Sequence, residues 1–231
     1  MQAAQVFLGG GQVSSLGIPV ALVYGVAILL AYLLGAIPVG LIVVQALKGR
    51  DIRTVGSGRT GGTNALRAGG VLAGVLTGLG DMAKGIGAVN IARLLLPGDP
   101  ILEALCGVAA VAGHNWPVYL GFRGGAGTAP NVGAAAALWP VVGLIMVPLV
   151  PLILVLTGYA SVTSTLVAIS LVVIFVLRAV FAGSPWAYVG YSVATAILVA
   201  LALIPNYRRL IEGTERLVGP RAKATAQRQS E

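Results

Sequence analysis

Charged residues are scarce in this sequence, which excludes an ordinary soluble domain. Asp, Glu, Lys and Arg make up only 10% of the 231 residues, whereas soluble domains carry about 25%. Cysteine and histidine are rarer still. The single cysteine, Cys106, lies in an apolar run, which predicts a small core residue and no disulfide. One cysteine and one histidine do not make a set of metal ligands, so neither a metal nor another cofactor is expected.

Long apolar runs fill most of the chain instead, and they predict an all-α integral membrane protein. Runs long enough to cross a bilayer, about 18 residues or more, recur along the sequence. They do not alternate between polar and apolar residues, which argues against a β-barrel. Full spans are expected at 19–47, with a kink at Gly35 and Pro38, at 71–96, from Ile101 onward, at 166–181 and at 186–204.

Residues 128–157 form a further apolar region that is too short for two full spans of about 20 residues each. The polar residues on both sides of this region are expected on the same side of the membrane, so the chain must leave and return within it. We therefore expect two short or kinked helices that turn near Trp139–Pro140. With the five full spans they make seven helical segments.

Basic residues predict the orientation of these segments. Lysines and arginines cluster between Lys48 and Arg67 and again in the tail after residue 205, and the net charge is +8. Basic loops of membrane proteins face the cytoplasm, which explains the charge better than a nucleic-acid partner does. The prediction is an N-terminus outside and a C-terminus in the cytoplasm, with the three glycine-rich and polar patches and the tail on the cytoplasmic side and the turns at 97–100 and 182–185 outside.

The predicted organisation has three parts. Residues 1–17 are uncharged, rich in Gly, Gln and Ser, and expected to be flexible. Residues 18–205 form a single transmembrane helical domain with cytoplasmic active-site loops. Residues 206–231 form a basic cytoplasmic tail, with a short surface helix over 208–217 and a disordered end.

The most distinctive polar stretch is VGSGRTGGTNALRAGG, Val55–Gly70, which we name the first glycine loop. A segment so rich in glycine and polar residues cannot lie in lipid, where its backbone groups would lack partners. Glycines let backbone N–H groups converge on a bound oxygen, and arginine donates two parallel hydrogen bonds to phosphate. A phosphate site and a plain helix–helix turn are both consistent with this composition.

Other polar residues offer further candidates, each with a structural alternative. His114 is a catalytic candidate or a satisfied residue at a helix end. FRGGAG, Phe122–Gly127, which we name the second glycine loop, suits an oxyanion or a hinge. Asp81 and Lys84 line a cavity or form a structural i,i+3 ion pair. Gly158–Thr165 is a third polar patch. The sequence contains neither a P-loop nor a Gly-x-Ser-x-Gly nucleophile motif.

The order and spacing of VGSGRTGGTNALRAGG, GDMAKG, GHNWPVYLGFRGGAG, GYAS and NYRRLIEGTE resemble the bacterial acyl-phosphate:glycerol-3-phosphate acyltransferases. The resemblance runs from the first span to the tail. It implies a seven-helix enzyme of the bacterial inner membrane that acts in phospholipid biosynthesis, with its active site toward the cytoplasm. Such an enzyme transfers a fatty acyl group from acyl-phosphate to the sn-1 hydroxyl of glycerol 3-phosphate, giving lysophosphatidic acid and phosphate.

The resemblance also assigns candidate site residues. His114, Ser57 and Arg67 are expected to be catalytic. The residues expected to bind substrate or phosphate are Gly56, Gly58, Arg59, Thr63, Asn64, Asn115, Arg123, Gly124, Gly125, Gly127, Ser161 and Asn206. Three positions depart from the family pattern: Arg59 stands in place of an asparagine, Ala126 in place of a lysine and Leu203 in place of a histidine.

The expected partners are acyl-phosphate and glycerol 3-phosphate as substrates, together with membrane lipids; the sequence leaves the oligomeric state open. Two alternatives remain at this point. One is a non-catalytic lipid-phosphate or anion-binding protein, or a transporter, on the same scaffold. The other is acyl transfer that uses a different donor or acceptor.

Overall fold

The computed structural model describes residues 12–13, 18–219 and 222, and helices dominate this part of the chain. Two short strands, β1 (Gln12–Val13) and β2 (Ile18–Pro19), pair antiparallel. The helices are α1 (Val20–Ala36), α2 (Val39–Lys48), α3 (Gly62–Gly69), α4 (Val71–Leu95), α5 (Pro100–Asn115), α6 (Thr128–Leu138), α7 (Pro140–Thr157), α8 (Ala160–Ala182) and α9 (Trp186–Ile211). One-turn 3₁₀ helices form at Ile52–Thr54 and Val118–Leu120. The all-α prediction is confirmed; most of the predicted flexible N-terminus lies outside the described residues.

Proline residues break the first span where the sequence predicts a kink. Helices α1 and α2 are two halves of one apolar segment, separated at Ile37 and Pro38. Pro38 has no N–H to donate to the preceding turn, so the helix cannot continue through it. At the break, the carbonyl oxygen of Ile37 accepts from Val39 N at 3.0 Å and from Lys84 Nζ on α4 at 3.0 Å.

The two predicted short helices are α6 and α7, which meet at Trp139 as expected. Helix α7 contains Pro148 and Pro151.

The prediction for the third span is wrong in length, because α5 has only 16 residues. Most of its side chains are buried by neighbouring helices, so its apolar composition serves the inside of the bundle as well as the membrane.

The surface of the bundle identifies an integral membrane protein. Within the described residues, Val20–Lys48, α7, α8 and α9 are each long and apolar enough to cross a bilayer. Large apolar side chains such as Leu29, Leu79, Leu144 and Phe181 are exposed on the outside of the bundle. Lipid solvates such an apolar surface, whereas its exposure to water would be energetically unfavourable.

Small residues bring the inner helices together. A Cβ at Gly85 on α4 would collide with the carbonyl oxygen of Pro130 on α6, and one at Gly133 would collide with that of Met82. Backbone-to-backbone packing of this kind drives helix association in membranes, where lipid removes the hydrophobic force between helices. It fixes α4 against α6 next to the polar residues Asp81 and Lys84.

Several connections meet at one end of the bundle. They are the first glycine loop, the segment 116–127, the turn at Gly158 and the end of α9, and contacts join them: Arg59 reaches Gly125, and Val218 N donates to Gly158 O at 2.9 Å. The predicted convergence of the polar stretches is confirmed. Which side of the membrane this end faces stays a prediction.

The region after residue 205 differs from its prediction. Pro205 lies inside α9, so the domain boundary drawn at residue 205 falls within a helix. The predicted surface helix over 208–217 is wrong: Arg208–Ile211 complete α9. Residues 212–219 are not helical and fold back over the end of the bundle. We name residues 212–219 the C-terminal segment.

Candidate active site

A cavity of about 560 Å³ opens at the end of the bundle where the polar stretches meet. Two loops, the end of α5, the start of α8, the end of α9 and the C-terminal segment contribute polar residues to its wall. Helices α4 and α7 contribute an apolar wall. The predicted site residues that line it are Ser57, Arg59, Thr63, Asn64, Arg67, His114, Gly125, Gly127, Ser161 and Asn206.

Asn64 organises the first glycine loop from within. Its side chain is buried, and Nδ2 lies 2.9 to 3.0 Å from the carbonyl oxygens of Ile52, Val55 and Arg59. Its Oδ1 accepts from Ser57 N at 3.1 Å. Because both ends of the amide are used by the loop backbone, Asn64 holds Ser57 in place and has little capacity left for a ligand.

Arg59 joins the two glycine loops and the last helix. Its guanidinium donates to Gly125 O at 3.1 Å, to Asn206 Oδ1 at 2.9 Å and to Ala202 O. Burial lowers the pKa of Arg59, and repulsion from Arg209 acts in the same direction, while Glu215 opposes both. Cations held this close without full compensation favour an anionic ligand.

Arg67 lies on α3 and reaches the C-terminal segment. Its guanidinium donates to Arg216 O at 3.3 Å and to Leu217 O at 3.4 Å. Burial lowers the pKa of Arg67, and repulsion from Arg216 adds to this effect. Arg216 in turn donates to Gly56 O, so the first glycine loop and the C-terminal segment hold each other at the edge of the cavity.

Glu215 neutralises part of this positive charge. Its Oε1 accepts from Asn206 Nδ2 at 2.8 Å, and its Oε2 pairs with Arg209 Nε at 3.1 Å. The Glu215 side chain is only 6% exposed, although it follows the last helix in a loop. It therefore fixes the C-terminal segment to α9 and completes a cluster of alternating charges above the cavity.

His114 lies deeper, at the end of α5, with α4 beside it. Its Nδ1 is 3.4 Å from Asp81 Oδ1, and Asp81 Oδ1 is 2.9 Å from Lys84 Nζ. All three side chains are buried, and Asp81 and His114 both line the cavity. A Cβ at Gly125 would collide with His114 Nε2, so only glycine lets the second glycine loop cover the ring this closely. The sequence-based hypothesis of an Asp81–Lys84 ion pair is confirmed.

Ser161 offers an unused hydroxyl to the cavity. It lies in the first turn of α8, is fully buried and lines the cavity wall. Its Oγ has no hydrogen-bond partner among the described residues. A buried hydroxyl without a partner is costly, so a ligand oxygen at this position would be favoured.

Some predicted site residues lie outside the cavity wall. Arg123 is an exposed residue of the second glycine loop, and its side chain does not line the cavity. Asn115 is buried, and its Nδ2 donates to Leu198 O on α9 at 3.2 Å. Gly124 N donates to Asn115 O, and Gly56 and Gly58 form turns with positive φ that support the first glycine loop. These residues shape the loops rather than the cavity surface.

Sequence reasoning assigned no site role to three charged residues that line the cavity, Arg209, Glu215 and Arg216, and it left Asp81 as a cavity residue or a structural ion pair. Glu215 and Arg209 belong to the NYRRLIEGTE segment, whose mixture of charges was the available signal. Nothing in the local sequence indicates that Asp81 faces His114. The two residues are 33 positions apart in the chain and meet only because their helices pack together.

Comparison with known proteins gives the family. The model of the glycerol-3-phosphate acyltransferase family matches residues 25–213. A glycerol-3-phosphate acyltransferase of Rubrobacter xylanophilus is 42% identical over 195 residues, which cover 84% of this chain and 95% of the relative. Another from Clostridioides difficile is 39% identical over 204 residues, which cover 85% and 96%.

Solved structures agree with the computed fold. Crystal structures of PlsY, an integral membrane glycerol 3-phosphate acyltransferase, have been solved in a glycerol 3-phosphate form and a lysophosphatidic acid form. The first is 34% identical, with a TM-score of 0.74 and coverage of 85% of this chain and 96% of that one. The second is 33% identical, with a TM-score of 0.73 and coverage of 85% and 95%. This chain therefore belongs to the glycerol-3-phosphate acyltransferase family and is an integral membrane acyltransferase.

Proposed function

We propose that this enzyme transfers a fatty acyl group from an acyl-phosphate to the sn-1 hydroxyl of glycerol 3-phosphate and releases lysophosphatidic acid and phosphate. The observation that carries the proposal is a single cavity with an arginine-rich polar end and an apolar wall. Both substrates are anionic, and one has a long apolar chain. One cavity of this kind suits both substrates at once.

The apolar wall suits the acyl chain. It consists of Val71, Val75 and Leu79 on α4 and of residues such as Val150 and Leu154 on α7. The α4 side chains are more than half exposed, so this side of the cavity is open to the surrounding membrane. An acyl chain that lies here keeps its apolar surface out of water, which is worth about 0.8 kcal/mol per CH₂ group. The donor would then enter sideways from the bilayer.

The polar end suits the phosphate groups. Arg67, Arg59 and the backbone of the first glycine loop supply charged and neutral donors around one space. Ser161 and Asn206 add further side-chain groups to the same polar end. Holding two reactants in one orientation converts a bimolecular step into an effectively intramolecular one. Arginine and amide donors also stabilise charge that develops on the carbonyl oxygen and on the leaving phosphate.

The reaction needs no covalent enzyme intermediate, because an acyl-phosphate is already activated. The sn-1 oxygen attacks the carbonyl carbon and forms the new ester bond. The bond between that carbon and the phosphate oxygen breaks, and the phosphate leaves with the electron pair. His114 Nε2 takes the hydroxyl proton and returns it to the phosphate. Its position in the wall of the cavity supports this role.

The three departures from the family pattern are close together in space. Arg59 donates to Gly125 O and Ala202 O, which directly precede Ala126 and Leu203 in the chain. Ala126 and Leu203 belong to the same apolar cluster. We propose that Arg59 supplies the positive charge that lysine and histidine supply at positions 126 and 203 in the family pattern. The small and apolar residues at those positions leave room for its guanidinium.

We also propose that the cavity faces the cytoplasm across the bacterial inner membrane. Lys48, Arg50, Arg59, Arg67 and Arg209 lie toward the cavity end of the bundle. The opposite end carries Asp99 and Glu103 near the α4–α5 turn. An excess of lysine and arginine in short loops marks the cytoplasmic side.

The test uses purified protein in detergent with palmitoyl phosphate and labelled glycerol 3-phosphate. We expect labelled lysophosphatidic acid and an equal amount of phosphate. We expect Arg67→Ala to lower kcat/KM for glycerol 3-phosphate by about 100-fold, the effect of losing a charged donor to phosphate. Arg50→Ala is the matched control, because Arg50 is exposed and does not line the cavity.

The outcomes separate the alternatives. Specific binding of glycerol 3-phosphate without product would identify a binding protein and contradict the proposal. Product formation from palmitoyl-CoA but not from palmitoyl phosphate would contradict the proposed donor. Equal activity of Arg67→Ala and Arg50→Ala would remove Arg67 from the site.

A further inference from the structure

We infer that Asp81 is a positioning residue that orients His114 for catalysis, an inference that rests on the function proposed above. Asp81 Oδ1 lies 3.4 Å from His114 Nδ1, and both side chains line the same cavity. A carboxylate beside Nδ1 favours the imidazole tautomer that carries its proton on Nδ1. The other nitrogen, Nε2, is then free to accept the proton of the attacking hydroxyl.

The burial of Asp81 indicates more than a stabilising role. Its side chain is 1% exposed, inside a bundle that is otherwise mostly apolar. Ionisable residues inside membrane helices are expensive and face partners or cavities with a function. A buried ion pair adds little stability over apolar residues of the same size, so stability alone does not account for Asp81 and Lys84.

Asp81 has two partners: Lys84 holds its carboxylate in place, and the carboxylate in turn orients His114. Lys84 Nζ lies 2.9 Å from Oδ1 and also donates to Ile37 O at the break between α1 and α2. This second bond anchors the ammonium group, and the ammonium anchors the carboxylate. Beyond these ion-pair contacts, neither carboxylate oxygen of Asp81 has a hydrogen-bond partner among the described residues, so the carboxylate keeps capacity to hold the ring more closely. Catalytic hydrogen bonds are often long before substrate binds and shorten in the complex.

Packing keeps both residues in register. Helix α4 touches the backbone of α6 at Gly85 and Gly133, one turn from Asp81. Gly125 covers the ring of His114 from the other side, and Lys84 and Arg59 are the two cations that act on the ring besides Asp81. The ring is therefore enclosed between a carboxylate and a backbone segment, which leaves it one productive orientation.

The experiment compares Asp81→Asn with wild type by steady-state kinetics with palmitoyl phosphate and glycerol 3-phosphate. The amide that this substitution introduces would donate to Nδ1 and favour the tautomer with the proton on Nε2, which cannot accept the hydroxyl proton there. We expect kcat to fall by about 100-fold or more, with KM for glycerol 3-phosphate within about threefold of wild type. Asp81→Glu, which keeps the carboxylate, should recover part of kcat.

The decisive readout is the double variant Asp81→Asn/His114→Ala. If Asp81 acts through His114, this variant is no slower than His114→Ala alone. Losses that multiply in the double variant would overturn the inference, as would an unchanged kcat in Asp81→Asn. An inactive wild-type enzyme would instead count against the proposed function, so the two failures are distinguishable.

A matched control separates positioning from stability. Glu103 is also a buried carboxylate in an ion pair, 3.1 Å from Arg93 Nε, and it lies at the opposite end of α5. We expect Glu103→Gln to lower the melting temperature without a loss of kcat. If Asp81→Asn cannot be purified, Asp81→Asn/Lys84→Met leaves no unpaired charge and should show the same loss of kcat. Full kcat in that variant would contradict the inference.

Discussion

At the scale of single residues, the side chains around the two glycine loops divide into those that build the loops and those that face the cavity. The sequence assigned Asn64 and Arg59 alike to phosphate binding. The side-chain amide of Asn64 hydrogen-bonds to the carbonyl groups of Ile52, Val55 and Arg59 and to the N–H of Ser57, all in its own loop or directly before it. Arg59 crosses the cavity end and contacts a different loop and helix. Local sequence could not separate them, because residue type does not reveal which way an amide or a guanidinium points.

The cluster of Arg59, Ala126 and Leu203 leads to a prediction about coupling. Arg59→Asn alone should lower kcat/KM for glycerol 3-phosphate by about 30-fold, because it removes a charged donor from the site. Ala126→Lys should change little in the wild-type background, where Arg59 already supplies the cation. In the Arg59→Asn background, the same lysine should raise kcat/KM for glycerol 3-phosphate by about tenfold, because the positive charge is then missing.

The measurement is a double-mutant cycle on kcat/KM with both substrates. Ala126→Gln serves as the control, since it adds a side chain of similar length without the charge. An identical effect of Ala126→Lys in both backgrounds would show that positions 59 and 126 act independently, and our account of the three departures would then be wrong.

At the scale of helices, the sequence predicted what proline and composition determine. Pro38 breaks the first span, and Pro140 begins α7 directly after the turn at Trp139. The end of α9 was predicted too early, since the last span was placed at 186–204 and the helix runs to Ile211. Membrane helices tolerate proline where neighbouring groups satisfy the freed backbone, and α9 continues through Pro205 to Ile211. Those neighbouring groups come from other parts of the fold, so the local sequence does not show that the helix continues.

The wall formed by α4 and α7 leads to a prediction about the acyl chain. Gly78 on α4 lines the cavity, and a Cβ there would meet no atom within 4 Å. Gly78→Leu should therefore fill space that the chain of the donor uses. We expect KM for palmitoyl phosphate to rise by about tenfold, with a smaller change for octanoyl phosphate and none for glycerol 3-phosphate.

Gly190 provides the matched control for this change. It also lies within a helix, a Cβ there would meet no atom within 4 Å, and it does not line the cavity. Gly190→Leu should leave both constants within about twofold of wild type. Equal changes with the long and the short donor in Gly78→Leu would indicate that the acyl chain lies elsewhere.

At the scale of the whole molecule, the sequence predicted that the polar stretches meet at one end, and the contacts among them confirm it. Counting helices and basic residues is enough for that prediction, because each helix that crosses the membrane takes the chain to the other side of the bilayer. The detailed wall of the cavity was beyond sequence reasoning. Asp81 meets His114 only because α4 packs against α5, and Glu215 reaches Asn206 only because the C-terminal segment folds back.

The central claim is that this one cavity is the place of acyl transfer, and blocking it tests the claim most directly. Gly61 lines the cavity, has negative φ, and a Cβ there would meet no atom within 4 Å, so Gly61→Cys should be active and reactive. Cys106 is buried, which keeps it from reacting. Arg50→Cys, in an exposed loop outside the cavity, is the labelled control.

The measurement is the rate of lysophosphatidic acid formation before and after each cysteine variant is modified to completion with a bulky maleimide. We predict that modification at position 61 abolishes turnover, that glycerol 3-phosphate slows this modification, and that modification at position 50 leaves the rate unchanged. Full activity of the protein modified at position 61 would contradict the account, because both substrates would then react somewhere other than this cavity.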